Sequence, residues 1–173
     1  MARAAWGALA VALTAAMLGG CVMKVNRVQM DASRLAGKVD RKVACAYRQG
    51  EVVDARPSTG RAGGLGKHLF LVDDAARIVR ERMTAVGIAP QGEGEAVDVR
   101  VLHMYMTQNL GTKVPVVVLS TTVGSQLAFT LRSQKASINW NGTEDEAYEG
   151  YARALDDAMT QLVVRLDAGC RKS

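Results

Sequence analysis

Three cysteines and two histidines are the residues of this sequence best suited to nucleophilic or metal chemistry, and their surroundings decide what is open to it. His68 and His103 fall in different segments without neighbouring ligands, whereas a metal site needs several convergent ones. No metal and no cofactor is expected. His68 reads as a loop or helix-entry residue, and His103 as a sheet-surface or interface histidine. The acidic clusters Asp73-Asp74, Glu144-Asp145-Glu146 and Asp156-Asp157 lie at helix starts or on an outer helix face. There they suit a helix dipole or solvent better than a glycosidase pair. Gly66-Lys67 follows other glycines, but a phosphate-binding loop needs glycine where Arg61 stands and a hydroxyl where His68 stands. No Gly-x-Ser-x-Gly elbow occurs. The remaining catalytic arrangement is a dispersed one, with Cys45 acting as a thiol near His103 in a deep pocket.

The first cysteine has a different context. Residues 1–20 open with one basic residue, Arg3, pass through an apolar stretch at 4–18 and close on small residues, the layout of a secretory signal. The stretch is shorter than the roughly 20 residues of a comfortable bilayer span. Leu18-Gly19-Gly20-Cys21 resembles the bacterial lipobox, in which the cysteine is lipidated, the signal is cut before it and the new amine is acylated. The resemblance implies a signal peptide at 1–20, lipidation at Cys21, and a soluble domain tethered to a membrane. Each buried methylene is worth about 0.8 kcal/mol, so several acyl chains hold where one would not. Val22 is not the aspartate that retains such lipoproteins in the inner membrane, so the outer membrane, facing the periplasm, is expected. Export to an oxidising compartment then favours a disulfide between Cys45 and Cys170, provided their Cα atoms lie within roughly 7 Å. The alternative is a buried free Cys45 and a frayed Cys170.

The net charge of +5 is modest, and outside Trp6 only seven aromatic residues are present, so no nucleic-acid partner is expected. From Val22 to Gly50 there are seven basic and two acidic residues, while the rest of the chain is nearly neutral. Lys24, Arg27, Arg34 and Lys38 are therefore candidates for contact with anionic head groups or another envelope polymer. The plainer reading is a solvated tether.

A chain of 173 residues with 49% apolar and 23% charged residues suits one ordinary domain. Residues 21–40 read as a lipidated tether and 41–173 as a single periplasmic domain. Residues 41–47 read as a first strand with Val43, Cys45 and Tyr47 on one side, and a turn near Gln49-Gly50 lets it continue through Val52 and Val53. Residues 58–66, with four glycines, read as a flexible loop. Ala75, Ala76, Val79, Met83 and Val86 recur at helical spacing, with Gly87 as a stop. Val97, Val99 and Val101 alternate with polar residues in a strand reaching about Met106. After a loop at 108–113 comes a β-branched strand over 114–123, with Pro115 at an edge or strand end. Further strands are expected around Leu127, Phe129 and Leu131 and at 136–140. Asn141-Gly142-Thr143 matches a glycosylation sequon but is better read as a turn feeding a capping box at Thr143 and Glu146. That box opens a long helix whose stripe is Ala147, Tyr151, Ala154, Leu155, Ala158, Met159, Leu162 and Leu166, ending at Gly169. Two one-sided helices and several alternating strands imply an α+β fold: a two-layer sandwich, with a mostly antiparallel sheet and both helices on one face.

The order of these features is similar to that of the small YajG-like periplasmic lipoproteins: lipobox, short first strand, Val53-Asp54-Ala55-Arg56, a helix ending in Gly87-Ile88, a strand opening Val97-Asp98-Val99, long antiparallel strands and a C-terminal helix. The likeness covers roughly residues 41–168. A more distant resemblance is to LpoB-like activators of peptidoglycan synthases and to curli-secretion lipoproteins, which supply no residue to carry over. The expected function is therefore a non-catalytic, outer-membrane-anchored lipoprotein with a binding or assembly role in the envelope. Its partners are the membrane, through the lipid, and an envelope protein or cell-wall component. A small-ligand-binding or enzymatic module with a dispersed site is the alternative.

Overall fold

A computed structural model describes residues 25–35, 41–109, 112–134 and 143–170. The expected features at Cys21, Lys24, Lys38, the signal segment, the 136–140 strand and Asn141-Gly142 lie outside these residues. Seven strands and two helices follow in the order β1 (Asn26–Gln29), a 3-10 turn (Ala32–Leu35), β2 (Tyr47–Asp54), β3 (Gly60–Leu65), β4 (His68–Val72), α1 (Ala75–Ala85), β5 (Glu95–Asn109), β6 (Thr112–Val123), β7 (Phe129–Arg132) and α2 (Glu144–Cys170). The fold is α+β. Its strands form two sheets, ordered β2-β5-β6-β7 and β1-β4-β3. Pairing is antiparallel except between β2 and β5 and between β1 and β4.

The helices form the second layer, packing on each other and on the large sheet. Alternation along β5 buries Val97, Val99 and Val101 against them, while Asp98 and Arg100 face away. The bulge between Val101 and His103 resets that alternation so that Met104 and Met106 continue the buried row. Every residue of the stripe read along α2 is buried, joined by Tyr148, Val163 and Asp167. Its start is the expected reciprocal cap: the Glu146 N–H donates to Thr143 Oγ1 and the Thr143 N–H to Glu146 Oε2, each at 3.3 Å. In α1, Asp74 caps by accepting from the Arg77 N–H at 2.9 Å. Pro115 stands near the start of β6, outside the stretch Val118–Thr121 that pairs with β7, so its missing N–H costs no ladder bond there.

Four expectations need correction. The strand expected at 41–47 begins only at Tyr47, because the backbone before it is engaged elsewhere. Val43 N–H donates to Val86 O and Ala44 N–H to Asp167 Oδ1, both at 2.9 Å. Gln49-Gly50 is a bulge within β2, not a turn. A Cβ on Gly50 would come within 1.9 Å of Asp98 Oδ1, the atom that accepts the Glu51 N–H at 2.6 Å. The glycine-rich segment at 58–66 contains β3, which forms a hairpin with β4 across Gly66-Lys67. Glycine is needed there because β3 passes over β5: at Gly63 (φ +79°) a Cβ would meet the Tyr105 Cα at 2.9 Å. Finally, α2 does not stop at Gly169 but runs through it to Cys170.

Part of the segment 21–40, expected to lie outside the domain, is folded into it. Val28, Met30, Ala32 and Leu35 are core residues, so Val25 to Leu35 belongs to the folded domain. β1 lies parallel to β4, placing Val28 beside Phe70. The Tyr148 hydroxyl on α2 clamps the segment, accepting from the Asp31 N–H at 2.7 Å and donating to Gln29 O at 2.8 Å.

Candidate functional site

A disulfide and a cleft beside it form where the end of α2 meets the segment that leads into β2. Cys45 and Cys170 are joined in a disulfide across 125 positions of sequence, with Cα atoms 6.4 Å apart, within the reach the pair requires. Polar contacts hold the same junction. Buried Asp167 accepts from Ala44 N–H and, at 3.2 Å, from Arg41, and the Tyr47 hydroxyl donates to Leu166 O at 3.1 Å. Burial, reinforced by the negative charges of Glu95 and Asp167, raises the Tyr47 pKa, so its phenol stays protonated and able to donate.

Beside the disulfide opens a cleft of about 970 Å³, lined among others by Tyr47, Glu95, Val123, Phe129 and Arg165. The Arg165 guanidinium sits 5.4 Å from the Phe129 ring centre, and Leu127 at the rim is 94% exposed. The cleft therefore offers one carboxylate, one guanidinium and an apolar wall. Both cysteine sulfurs at its edge are in the disulfide, so neither presents a thiolate in this state. Along β7 and the outer side of α2 a second cleft of about 670 Å³ shares Phe129, Arg165 and Ala168 with the first.

The histidines are elsewhere. His103 is exposed on β5, opposite Val118 and two strands from Arg132, a sheet-surface position. Cys45 pairs with Cys170, and His103 does not line the cleft beside it, so the dispersed thiol site is not assembled. His68 starts β4 instead of a helix, with its Nδ1 at 3.2 Å from Asn26 Nδ2. Among the described residues no group of three or more His, Cys, Asp or Glu side chains is placed to hold a metal ion. The acidic pairs serve as caps and ion-pair partners: Asp74 caps α1, and Asp156 binds Arg82.

The basic candidates separate. Arg27 is exposed on β1. Arg34 is engaged within the domain, paired with Asp145 and stacked 3.8 Å above the Tyr148 ring. Two other arginines are buried, although a charge in a sequence reads as solvated. Arg56 is 5% exposed and grips both Asp54 oxygens, at 2.7 and 2.6 Å, while donating to Arg61 O and Val72 O. The Val53-Asp54-Ala55-Arg56 segment thus ties the end of β2 to both strands of the next hairpin. Burial opposes ionisation of Asp54, but the hydrogen bonds and charge of Arg56 outweigh it and hold the carboxyl below its usual range. Arg82, 2% exposed on α1, joins Asp156 of α2 to Leu35 O of the N-terminal turn. No protein-family model matches this chain, and no curated protein matches its sequence.

Proposed function

We infer that this chain is a non-catalytic lipoprotein of the cell envelope, anchored through Cys21 to the periplasmic side of the outer membrane. Its α+β domain binds or helps assemble an envelope component, either a protein or a cell-wall polymer. The observation that carries this reading is the apolar stretch at 4–18 ending in Leu18-Gly19-Gly20-Cys21. A disulfide closing the domain agrees with it, since such bonds persist in oxidising compartments. The described helices include none long and apolar enough to cross a membrane, so the lipid supplies the attachment in this reading. The Cys21→Ser variant tests it: acyl labelling should disappear and the protein should move from the membrane fraction to the soluble periplasmic fraction. Unchanged labelling in that variant would refute the assignment.

A further inference from the structure

The tether between Cys21 and β1 is short. Five Cα steps separate Cys21 from Asn26, a reach of at most about 18 Å when fully extended. A domain lipidated at Cys21 must therefore keep β1 close to the head groups. β1 forms one edge of the small sheet.

That sheet has two unlike faces. Val28, Phe70 and Ala62 are buried on the inner one. On the outer one Arg27 pairs with Leu69, and Leu71 lies between Gln29 and Arg61. Arg27 and Arg61 are exposed, and Leu69 and Leu71 are half-buried between them. Lys67, exposed in the β3–β4 turn, adjoins the start of β1, where Asn26 N–H donates to Lys67 O at 2.7 Å. Arg27, Arg61 and Lys67 form no ion pair with any described carboxylate; the nearby Asp73 accepts instead from Gln29 at 2.8 Å. By contrast, Arg77 and Arg153 on the helix layer are paired with acids of their own helices or caps.

We propose that the outer face of the β1-β4-β3 sheet, with Arg27, Arg61 and Lys67 around Leu69 and Leu71, docks on an anionic lipid bilayer. The proposal rests on lipid anchoring at Cys21, which fixes β1 near the bilayer. Positive groups within a Debye length of an anionic surface, about 8 Å at physiological salt, are attracted to it, and leucines between them add apolar contact. The face differs from the juxtamembrane set read from the sequence: Arg34 is spent on Asp145 and Tyr148, and Arg61 and Lys67 take part from a distant hairpin.

The test uses the full chain from residue 21 carrying Cys21→Ser, so that docking is measured without the lipid. Its partition onto vesicles of 30% phosphatidylglycerol in phosphatidylcholine is compared with that onto phosphatidylcholine alone. Each basic residue near such a surface is worth about fivefold in partition, so the triple variant Arg27→Gln, Arg61→Gln, Lys67→Gln should bind about 100-fold more weakly. A control of equal charge change, Arg77→Gln, Arg80→Gln, Arg153→Gln on the helix layer, should stay within about threefold of the parent. Circular dichroism verifies that both fold. Equal binding of the parent and the first triple variant would overturn the docking face, as would equal losses in the two triples. Retention by purified cell-wall sacculi without retention by vesicles would overturn the lipid assignment. Acyl labelling of Cys21 in the exported wild-type chain is scored separately, so failure of the anchor and failure of the docking face give different results.

Discussion

Breaking the Cys45–Cys170 bond is the perturbation whose size follows most directly from the structure. The bond closes a loop of 125 positions that contains β2 to β7, α1 and nearly all of α2. For a loop of that length the chain-entropy relation gives about 5 kcal/mol of stabilisation through the unfolded state. Other contacts at the junction do not involve the sulfurs: Asp167 accepts from Ala44 and Arg41, and Tyr47 donates to Leu166 O. The reduced chain should therefore lose about a third or more of its margin, since domains of this size hold about 5–15 kcal/mol in all. With a urea dependence of about 2 kcal/mol per molar, the midpoint should fall by about 2.5 M. The assay is urea unfolding followed by circular dichroism, comparing oxidised protein with the Cys45→Ala, Cys170→Ala double variant. A midpoint within about 0.3 M of the parent would refute the reasoning, since the loop would then constrain nothing that unfolds. Alkylatable thiols at both Cys45 and Cys170 in protein isolated from cells without reductant would refute the bond itself.

Three further outcomes are expected. Asp54 has a folded pKa below its unfolded value, so its contribution is present above about pH 4 and is lost as pH falls through the folded pKa; Asp54→Asn should flatten the acid limb of a melting-temperature profile, and an unchanged limb would contradict the Arg56 clamp. Tyr47 and Tyr151 have pKa values raised chiefly by burial, so stability they support is complete below about pH 10 and lost as pH rises towards the folded values. Tyr151→Phe should reduce the alkaline loss and, by leaving buried Ala62 O without its donor, cost about 1–3 kcal/mol at pH 7 in denaturant unfolding. Thr143→Ala removes the reciprocal cap of α2 and should cost about 1 kcal/mol by the same measurement, whereas a change under about 0.3 kcal/mol would mean the cap is idle.

The features legible in the sequence are those whose pattern is local. The α2 stripe and its Thr143 cap and the alternation of Val97, Val99 and Val101 are accessible from residue type and spacing, whereas the Cys45–Cys170 pair follows only from the export that the lipobox resemblance implies. What escaped depends on distant partners. β1 has one buried residue, Val28, among polar neighbours, and it becomes a strand only because β4 offers an edge beside Phe70. The glycines of β3 read as loop signals, yet Gly63 serves a backbone crossing at Tyr105 that no local pattern announces. Arg56 and Arg82 are buried because carbonyls and carboxylates from other elements converge on them. The proposed docking face is dispersed in the same way. Only Arg27 stood out as a candidate, because Arg61 and Lys67 reach that face through the hairpin fold.

The central claim is the lipid on Cys21, and mass spectrometry of the N-terminal peptide of protein isolated from envelopes tests it most directly. Anchoring through Cys21 requires a mature chain that begins at Cys21 and carries acyl chains on that residue. A chain that retains residues 1–20, or one in which Cys21 is unacylated, would contradict it.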